Sequence, residues 1–463
     1  MLILENSERT KRLTLIITCG ASFIAPFLMN ALNLAIPNIG ETYQASTAML
    51  GWVVNSFLLT SAAFLLPFGR LADIVGRKKI FLASLLLSSV TSFLCVIATS
   101  IEVFIIFRVL QGISGAMGFG TVVAIMTSAY PAAERGKVLG FNAAAVYIGL
   151  SLGPVVGGFL TFNWGWVSIF IFGGISNLIL FLLALMYLKG EWAGSPGAPF
   201  DWQGSAVYII GLVAFLYGLS SLQEHWIFWL VLVCGLLLLV VFVRRELNVD
   251  NPLLPLRQLL RNRVFAFSSL ATLINYSATF AISFLLSIYL QSVLGFDSRI
   301  AGFILLVQPV LMVIVSPLSG RLSDRVSPNI VSAIGMFINM SCLFIFAFLS
   351  SDTPVYFIVA NLVLCGIGFG LFAPPNSNAV MGAVEKSMYG MAASAIGSMR
   401  MIGQSMSMAI AALILSGYVG SVQMSLAPPH LLLTGIRVAF AVFGCVCLLG
   451  TIAAWQREKP KPL

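Results

Sequence analysis

Long apolar runs separated by short polar segments make up almost the whole of this chain of 463 residues. A helix that crosses the hydrocarbon core of a bilayer needs roughly 20 mostly apolar residues. Fourteen runs are close to this length or longer, so we predict fourteen membrane-spanning helices. Their ranges are 14–37, 48–68, 79–99, 102–127, 138–161, 167–188, 204–222, 227–243, 264–291, 300–319, 329–350, 354–378, 391–416 and 433–455.

The composition indicates the same class of protein. Hydrophobic residues make up 59% of the chain and charged residues only 9%, whereas about a quarter of a soluble domain is charged. We therefore predict a polytopic membrane protein that is not an enzyme, since no nucleophile constellation, metal cluster or phosphate-binding loop is present. We expect no cofactor and no metal. The seven cysteines all lie within apolar runs, where they are expected to be small buried hydrophobes.

Basic residues are unevenly distributed between the two sides of the predicted membrane. Lys and Arg number 25 against 16 acids, but all except four lie at the chain ends or in loops on the same side as those ends. Arg299 and Arg437 lie on the other side, and Arg108 and Arg400 lie within spans. Cytoplasmic loops are enriched in Lys and Arg. The asymmetry predicts two cytoplasmic termini in the plasma membrane, and it gives no reason to expect a nucleic-acid partner.

A polar segment is repeated at matching places and divides the chain into related halves. Residues 69–79 lie between spans 2 and 3, and a shorter copy at 320–325 lies between spans 10 and 11. Spans 7 and 8 have no counterpart and are predicted to be an inserted hairpin. The second linker beside this hairpin carries leucines that we expect to face lipid or protein. The predicted domains are a six-helix bundle at 1–188, the hairpin with its linkers at 189–263 and a second six-helix bundle at 264–463.

The segment at 69–79 resembles the loop between the second and third spans of major facilitator superfamily transporters. The matching residues are Gly69, Asp73, Gly76 and Arg77, with Gly320 and Asp324 in the shorter copy. The alternative is an ordinary basic loop. The fourteen spans with a central hairpin resemble the fourteen-span drug:proton antiporter group of that family. The resemblance implies an all-α major facilitator fold, in which two six-helix bundles rock around a central cavity.

The resemblance also assigns a gating role to the segment at 69–79. Asp73 is expected to accept hydrogen bonds from free backbone N–H groups at a helix start of the second half, near Tyr389 to Ala392. Such groups carry a partial positive charge. The bond would have to break as the halves move.

Span 5 contains a second motif, which resembles the antiporter signature Gly-x-x-x-Gly-Pro-x-x-Gly-Gly. Small residues let helices approach closely, and proline removes one backbone hydrogen bond and permits a bend. A bent, closely packed helix would suit a rocking motion, although ordinary helix packing would use the same residues. The motif residues are Gly149, Gly153, Pro154, Gly157 and Gly158.

Two arginines lie within predicted spans of opposite halves. Arg108 in span 4 resembles the family's Arg-x-x-x-Gly motif, and Arg400 in span 13 lies in a stretch that resembles the arginine-bearing span of the second half. A charge at the bilayer centre costs roughly 2.5–3.5 kcal/mol on insertion scales, so such residues are candidates for function. The alternatives are that Arg108 extends to the interface, or that both arginines bind only backbone carbonyls and asparagines. Other candidate cavity residues are Asn30, Asn33, Asn55, Gln111 and Gln404.

All sixteen acids lie outside the interiors of the spans. In the group that the chain resembles, an Asp in span 1 precedes the proline by nine residues, and Leu28 occupies that position here. Without a carboxylate at mid-membrane, we predict weak coupling to protons. Unpaired arginines attract anions and repel cations, so we expect an anionic or neutral substrate.

The sequence leaves three functions open. The first is an exporter of drugs or metabolites, and the second is a proton-independent transporter or exchanger of organic anions or lipids. The third is a transporter-like sensor that moves nothing. In each case the expected partners are a small molecule and the lipid bilayer, with protons as an open possibility, and the expected state is a monomer. The sequence does not identify the substrate.

Overall fold

The fold is described here from a computed structural model. It covers residues 8–131, 134–188, 190–222, 225–249, 252–254, 256–323, 325–384, 389–420 and 427–455. Asp324 lies outside these ranges. The helix start near Tyr389 to Ala392, to which a partner of Asp73 was assigned, is where the description resumes. The side chain of Tyr389 is also outside the described part.

The described residues are helical and contain no β-strand. The first eight helices each form one span: α1 (Glu8–Tyr43), α2 (Thr47–Val75), α3 (Arg77–Val96), α4 (Ile101–Ala129), α5 (Arg135–Trp164), α6 (Val167–Tyr187), α7 (Trp202–Ser220) and α8 (Ile227–Glu246). The remaining elements are α9 (Leu256–Arg261), α10 (Arg263–Thr279), α11 (Ile282–Ile288), a π-helical turn (Tyr289–Val293), α12 (Ser298–Leu305), α13 (Val307–Ser323), α14 (Pro328–Phe346), α15 (Val355–Gly382), α16 (Tyr389–Val419) and α17 (Pro429–Trp455).

The prediction of fourteen spans is confirmed. Fourteen helical segments among the described residues are long and apolar enough to cross a membrane. Span 9 is formed by α10, α11 and the π-helical turn together, at Arg263–Val293, and span 10 is formed by α12 and α13, at Ser298–Ser323. The short helix α9 lies between spans 8 and 9. We call the side on which Glu8 and Trp455 lie the terminal face, and the opposite side the distal face.

The helices pack mainly within two groups. In the first, α1 packs against α5 and α6, and α4 packs against α2 and α3. In the second, α15 packs against α13 and α14, while α10 packs against α16 and α17. Three helices of the first group contact the second: α2 packs against α16, α5 packs against α12 and α13, and α1 packs against α11 and α12.

The hairpin α7–α8 is attached along one of these pairings. Helix α7 packs against both α2 and α16, whereas α8 packs against α7 and contacts α9. The Tyr208 hydroxyl of α7 donates to the Ala62 carbonyl of α2 at 3.1 Å. The following linker turns inward, because Leu253, Leu254 and Leu259 are buried in a cluster with residues of α2, α7 and α16. These three leucines therefore face protein.

Two prolines inside the spans, Pro37 and Pro374, each leave one backbone carbonyl without its usual helical donor. In both cases a serine of a neighbouring helix donates to that carbonyl. Pro37 cannot donate to the carbonyl of Asn33 one turn earlier, and the Ser287 hydroxyl donates to that carbonyl at 2.6 Å. Pro374 likewise frees the carbonyl of Gly370, which accepts from Ser319 at 2.6 Å. This is the way in which spanning helices tolerate proline. For Pro37 the donor comes from the other half of the molecule.

Candidate functional site

A cavity of about 530 Å³ lies between the two halves. Its size is within the range of sites that bind drug-sized ligands. Its walls are formed by residues of α1, α3, α4 and α5 on one side and of α10, α13, α15 and α16 on the other. It extends to Asn142 and Met381, which lie in the parts of α5 and α15 nearest the terminal face. The cavity is therefore directed towards the terminal face.

The distal end of the cavity is closed by contacts between the halves. Besides the bond from Ser287 to the Asn33 carbonyl, the Gln291 amide donates to the Leu34 carbonyl at 3.3 Å. The Ser298 hydroxyl donates to the Gly158 carbonyl at 3.2 Å. These contacts join α1 and α5 to α11, the π-helical turn and α12. These contacts therefore block passage through the distal face in this conformation.

The residues of the span-5 motif make contacts of two kinds, some with α1 of the same half and others with the opposite half. A Cβ atom at Gly149 or Gly153 would meet the carbonyls of Phe23 or Phe27 in α1, within the same half. Gly157 also faces α1, at Ala31.

The other two motif residues face the opposite half. A Cβ atom at Gly158 would meet the Ser298 carbonyl, and a Cβ atom at Gly302 would meet the carbonyl of Pro154. Close approach between the halves therefore depends on Gly158 and Gly302, and Pro154 contributes its carbonyl to the same contact.

Arg108 is held by its own half of the protein. Only 7% of its surface is exposed. Its Nε atom donates to the Val53 carbonyl at 3.0 Å, and its Nη1 atom donates to Gln111 Oε1 at 2.6 Å. The guanidinium also lies over the Phe57 ring, 4.7 Å from the ring centroid. Gln111 is fully engaged as well, since its amide nitrogen donates to Ser92 at 2.8 Å.

Arg400 has a different environment. Its Nε atom is buried and has no hydrogen-bond partner among the described residues. The side chain lines the cavity, and the hydroxyl groups of Tyr147 and Tyr276 are within electrostatic reach of it. Within the described part of the chain, Arg400 forms no ion pair. Arg400 is therefore less tightly bound by other protein groups than Arg108.

The structure brings most of the predicted cavity residues together, with one correction. Asn30, Asn33, Arg108, Gln111, Arg400 and Gln404 all line the cavity. Asn55 does not: it is 1% exposed, and its amide donates to Ser220 at 3.0 Å and accepts from Ser405 at 2.8 Å. Because Ser220 is on α7 and Ser405 is on α16, the Asn55 side chain joins the hairpin to both halves.

Several cavity residues were missed at the level of sequence. Ser84 and Ser88 of α3 line the cavity together with Ser114 of α4 and Asn177 of α6, and Tyr276 and Gln308 line it from the second half. A signal existed for the serines, because Ser84, Ser88 and Ser92 recur every four residues and must lie on one helical face. No Asp or Glu lines the cavity in the described part of the chain.

The loop before α3 is bound by the linker that follows α6. Asp73 Oδ1 pairs with Arg77 Nη2 at 2.7 Å. Arg77 also donates to Ser128 Oγ of α4 at 2.7 Å. The backbone N–H of Ser195 donates to the Asp73 carbonyl at 2.9 Å, and that of Arg77 donates to the Trp192 carbonyl at 2.8 Å. The described contacts of Asp73 are therefore with its own half and this linker.

Glu191 completes this contact by binding the beginning of α3. Its carboxylate accepts from the backbone N–H of Lys78 at 2.8 Å, which is the position where an acid stabilises a helix start. Gly76 has a φ of +126°, a conformation that L side chains rarely adopt, and a Cβ atom there would overlap the Glu191 carboxyl group. Gly69 and Gly320 have open space beside their Cα atoms.

The comparisons with known proteins place this architecture among transporters. The family model of the Major Facilitator Superfamily matches residues 18–408. The riboflavin transporter RibZ of Clostridioides difficile (strain 630) is 28% identical over 393 residues, which cover 85% of this chain and 85% of that protein. The multidrug resistance protein Stp of Mycobacterium tuberculosis (strain ATCC 25618 / H37Rv) is 29% identical over 424 residues, 89% of this chain and 78% of that one. A bacterial homolog of the human lysosomal transporter Spinster, solved in an inward-facing and unoccupied conformation, has a TM-score of 0.73 at 15% identity and covers 98% of this chain and 100% of its own.

Proposed function

We propose that this chain, which belongs to the Major Facilitator Superfamily and is a membrane transporter and not an enzyme, exports small neutral or anionic organic molecules by alternating access. The observation that carries the proposal is the cavity between the two halves, closed at the distal face and directed towards the terminal face. The positive-inside rule assigns the terminal face to the cytoplasm of a cell-membrane protein. A cytoplasmic solute can then enter this conformation, and rocking of the halves would release it outside.

Two of the relatives support different substrates. The protein Stp is named for multidrug resistance, which is consistent with export. RibZ is named for riboflavin, a neutral aromatic molecule with a chain of hydroxyl groups. Either kind of solute fits a cavity without carboxylates. Flux into inside-out proteoliposomes of the purified protein tests the proposal, and the absence of flux for every neutral and anionic solute offered would favour the sensor instead.

The charge preference follows from Arg400. We expect Arg400→Ala to weaken the binding of an anionic solute about tenfold, because a hydrogen bond to a charged group contributes roughly 1.5–3 kcal/mol. The melting temperature should change little, since Arg400 has no ion pair among the described residues. Isothermal titration and thermal unfolding of the purified variant measure the two effects.

Arg108→Ala provides the contrast. This change leaves Gln111 Oε1 buried without its donor, which costs about 1–3 kcal/mol, and removes the Arg108 hydrogen bond to the Val53 carbonyl. We expect a lower melting temperature and a lower yield. An equal loss of anion binding in both variants at unchanged stability would contradict the assignment of distinct roles.

Proton coupling is expected to be weak, because no Asp or Glu among the described residues lines the cavity. Initial flux into proteoliposomes should be the same with and without an imposed pH gradient. A non-transported anionic dye trapped inside the vesicles serves as the control for leakage. Robust pH-driven export of a quaternary ammonium dye would contradict both the weak coupling and the charge preference.

The absence of Asp and Glu from the cavity lining among the described residues also favours a second candidate, an exchanger or downhill transporter of organic anions. An exchanger would accelerate uptake of labelled solute when unlabelled solute is present on the other side. A counterflow assay in the same vesicles separates this candidate from an exporter that moves its substrate in one direction only.

A further inference from the structure

We propose that the transported molecule has a flat aromatic part and two chemically different ends: one end with several neutral O–H or N–H donors, which binds the first half, and one acceptor-rich or anionic end, which binds Arg400. This inference rests on the proposed function, because it assigns the substrate class of the same cavity. It depends on how each polar group in the wall already uses its hydrogen atoms.

The first-half wall presents acceptors. The Ser84 hydroxyl donates to the Phe81 carbonyl at 2.7 Å, and the Ser114 hydroxyl donates to the Gln111 carbonyl at 2.7 Å. Asn177 Nδ2 donates to the Gly173 carbonyl at 2.8 Å within its own helix. The hydroxyl hydrogens of both serines and one of the two amide hydrogens of Asn177 are thus engaged by the backbone of their own helices. The oxygen lone pairs of all three groups remain for a ligand that supplies donors.

Asn30 follows the same pattern. Its Nδ2 atom donates one of its two hydrogens to the Pro26 carbonyl at 3.2 Å, and its Oδ1 atom remains as an acceptor. Asn30 lines the cavity one turn from Asn33.

One further acceptor of the first half has no partner. Asn33 Oδ1 is buried and accepts no hydrogen bond from the described residues, and Asn33 is 3% exposed. Gln404 Oε1 is unpaired in the same way but belongs to α16 of the second half, one turn from Arg400. A buried polar atom without a partner is unfavourable. A ligand donor that reaches either atom would therefore gain more than a donor placed against a satisfied group.

The opposite wall carries the Arg400 guanidinium, whose Nε atom is buried without a hydrogen-bond partner among the described residues. The Tyr276 hydroxyl of α10 lies on the same wall, and the Tyr147 hydroxyl is within electrostatic reach of Arg400 from α5 of the first half. Guanidinium groups match carboxylate, phosphate and carbonyl oxygens. The wall between the ends is aromatic, since Phe57, Phe280 and Phe369 line the cavity. The Tyr276 ring lies edge-to-face with Phe369, with ring centroids 5.2 Å apart.

The charge on the donor end of the substrate is also constrained. Amide and hydroxyl oxygens could accept from an ammonium group as well as from a hydroxyl. However, no carboxylate of the described residues lines the cavity to neutralise a cation, whereas Arg108 and Arg400 both line it. A cationic end would be repelled. The donors are therefore neutral hydroxyl or amide groups, as in a polyol chain or a sugar.

The test compares aromatic molecules with and without hydroxyl groups. Riboflavin and lumiflavin share one ring system, but lumiflavin has a methyl group in place of the polyol chain. 4-Methylumbelliferyl glucoside and 7-methoxy-4-methylcoumarin, in which a methyl group replaces the sugar, form a second pair. We expect the purified protein to bind at least one hydroxylated member about tenfold more tightly than its partner, measured by quenching of ligand fluorescence.

Two variants assign this preference to the first-half wall. Ser114→Ala and Asn177→Leu, tested separately, should reduce the preference for the hydroxylated member and leave the affinity for the other member unchanged. The matched control is Ser398→Ala. Ser398 is a buried serine that donates within its own helix at 3.0 Å, as Ser114 does, but it does not line the cavity. Thermal unfolding of each variant establishes that it is folded.

The outcomes separate this inference from the proposed function. No preference for the hydroxylated member in either pair, or a preference that both cavity variants retain, would overturn the substrate class even if transport is observed. Selective binding that the variants remove, with no flux into proteoliposomes, would support the site and contradict the transport proposal.

Discussion

Replacing Gly158 with leucine is expected to abolish transport and to leave ligand binding intact. A side chain at this position would meet the Ser298 carbonyl of the other half, where the two helices touch. The distal face could then no longer close, and alternating access requires each face to close in turn. Initial flux should fall to the level of empty vesicles. The purified variant should still bind ligand, because Gly158 does not line the cavity.

Gly140 offers a matched control on the same helix. A Cβ atom at Gly140 would meet no atom within 4 Å, so Gly140→Leu should transport normally. Gly153→Leu is expected to act differently from Gly158→Leu, because Gly153 packs against α1 of its own half. Overpacking costs about 1–3 kcal/mol, so the Gly153 variant should have a lower melting temperature. Wild-type flux in Gly158→Leu would show that closure at Ser298 is not part of the transport cycle.

Replacing Asp73 with asparagine is expected to reduce flux about tenfold without reducing the yield of folded protein. The change removes the ion pair with Arg77, whose guanidinium also reaches Ser128 of α4. Hydrogen bonds to charged groups contribute roughly 1.5–3 kcal/mol, and 1.4 kcal/mol corresponds to a factor of ten. If these contacts stabilise one conformation of the cycle, their loss shifts the balance between conformations.

Lys79→Ala is the control for this second prediction. Lys79 is exposed at the beginning of the same helix, α3, and forms no ion pair among the described residues. Flux should be unchanged in this variant. Asp73→Asn with wild-type flux would remove the gating role from this loop. Glu191→Gln adds a further measurement, since it weakens the bond to the Lys78 N–H and tests whether the linker contributes.

The spans could be predicted from the sequence because their signal is local. A run of apolar residues long enough to cross a bilayer can satisfy its backbone only as a helix. The same reasoning missed the breaks within spans 9 and 10, where α10, α11 and a π-helical turn replace one helix and α12 and α13 replace another. These breaks depend on packing between helices far apart in sequence.

The difference between the two arginines could not be predicted. Both Arg108 and Arg400 lie within spans, one in each half, and each is followed by a glutamine, at Gln111 and at Gln404. Only the structure shows that Gln111 accepts from Arg108 at 2.6 Å, whereas Gln404 Oε1 has no partner among the described residues. Spacings of three and four residues both bring side chains to one helical face. The choice between them is made by the surrounding helices.

Asn55 and Glu191 illustrate a further limit of sequence analysis. Asn55 was predicted to line the cavity because a polar residue within a span usually faces polar surroundings. Its partners are Ser220 and Ser405, which are 165 and 350 residues away in sequence. Glu191 binds Lys78 from a distance of 113 residues. No periodicity within a single span contains this information.

Because of Pro37, opening of the distal face requires the binding of water. This proline leaves the Asn33 carbonyl without a helical donor, and Ser287 occupies that carbonyl only while the face is closed against the other half. When the halves separate there, the carbonyl loses this donor and must be hydrated. Opening therefore takes up solvent at a defined atom. Its equilibrium should depend on water activity, so that an osmolyte too large to enter the distal opening favours the closed face.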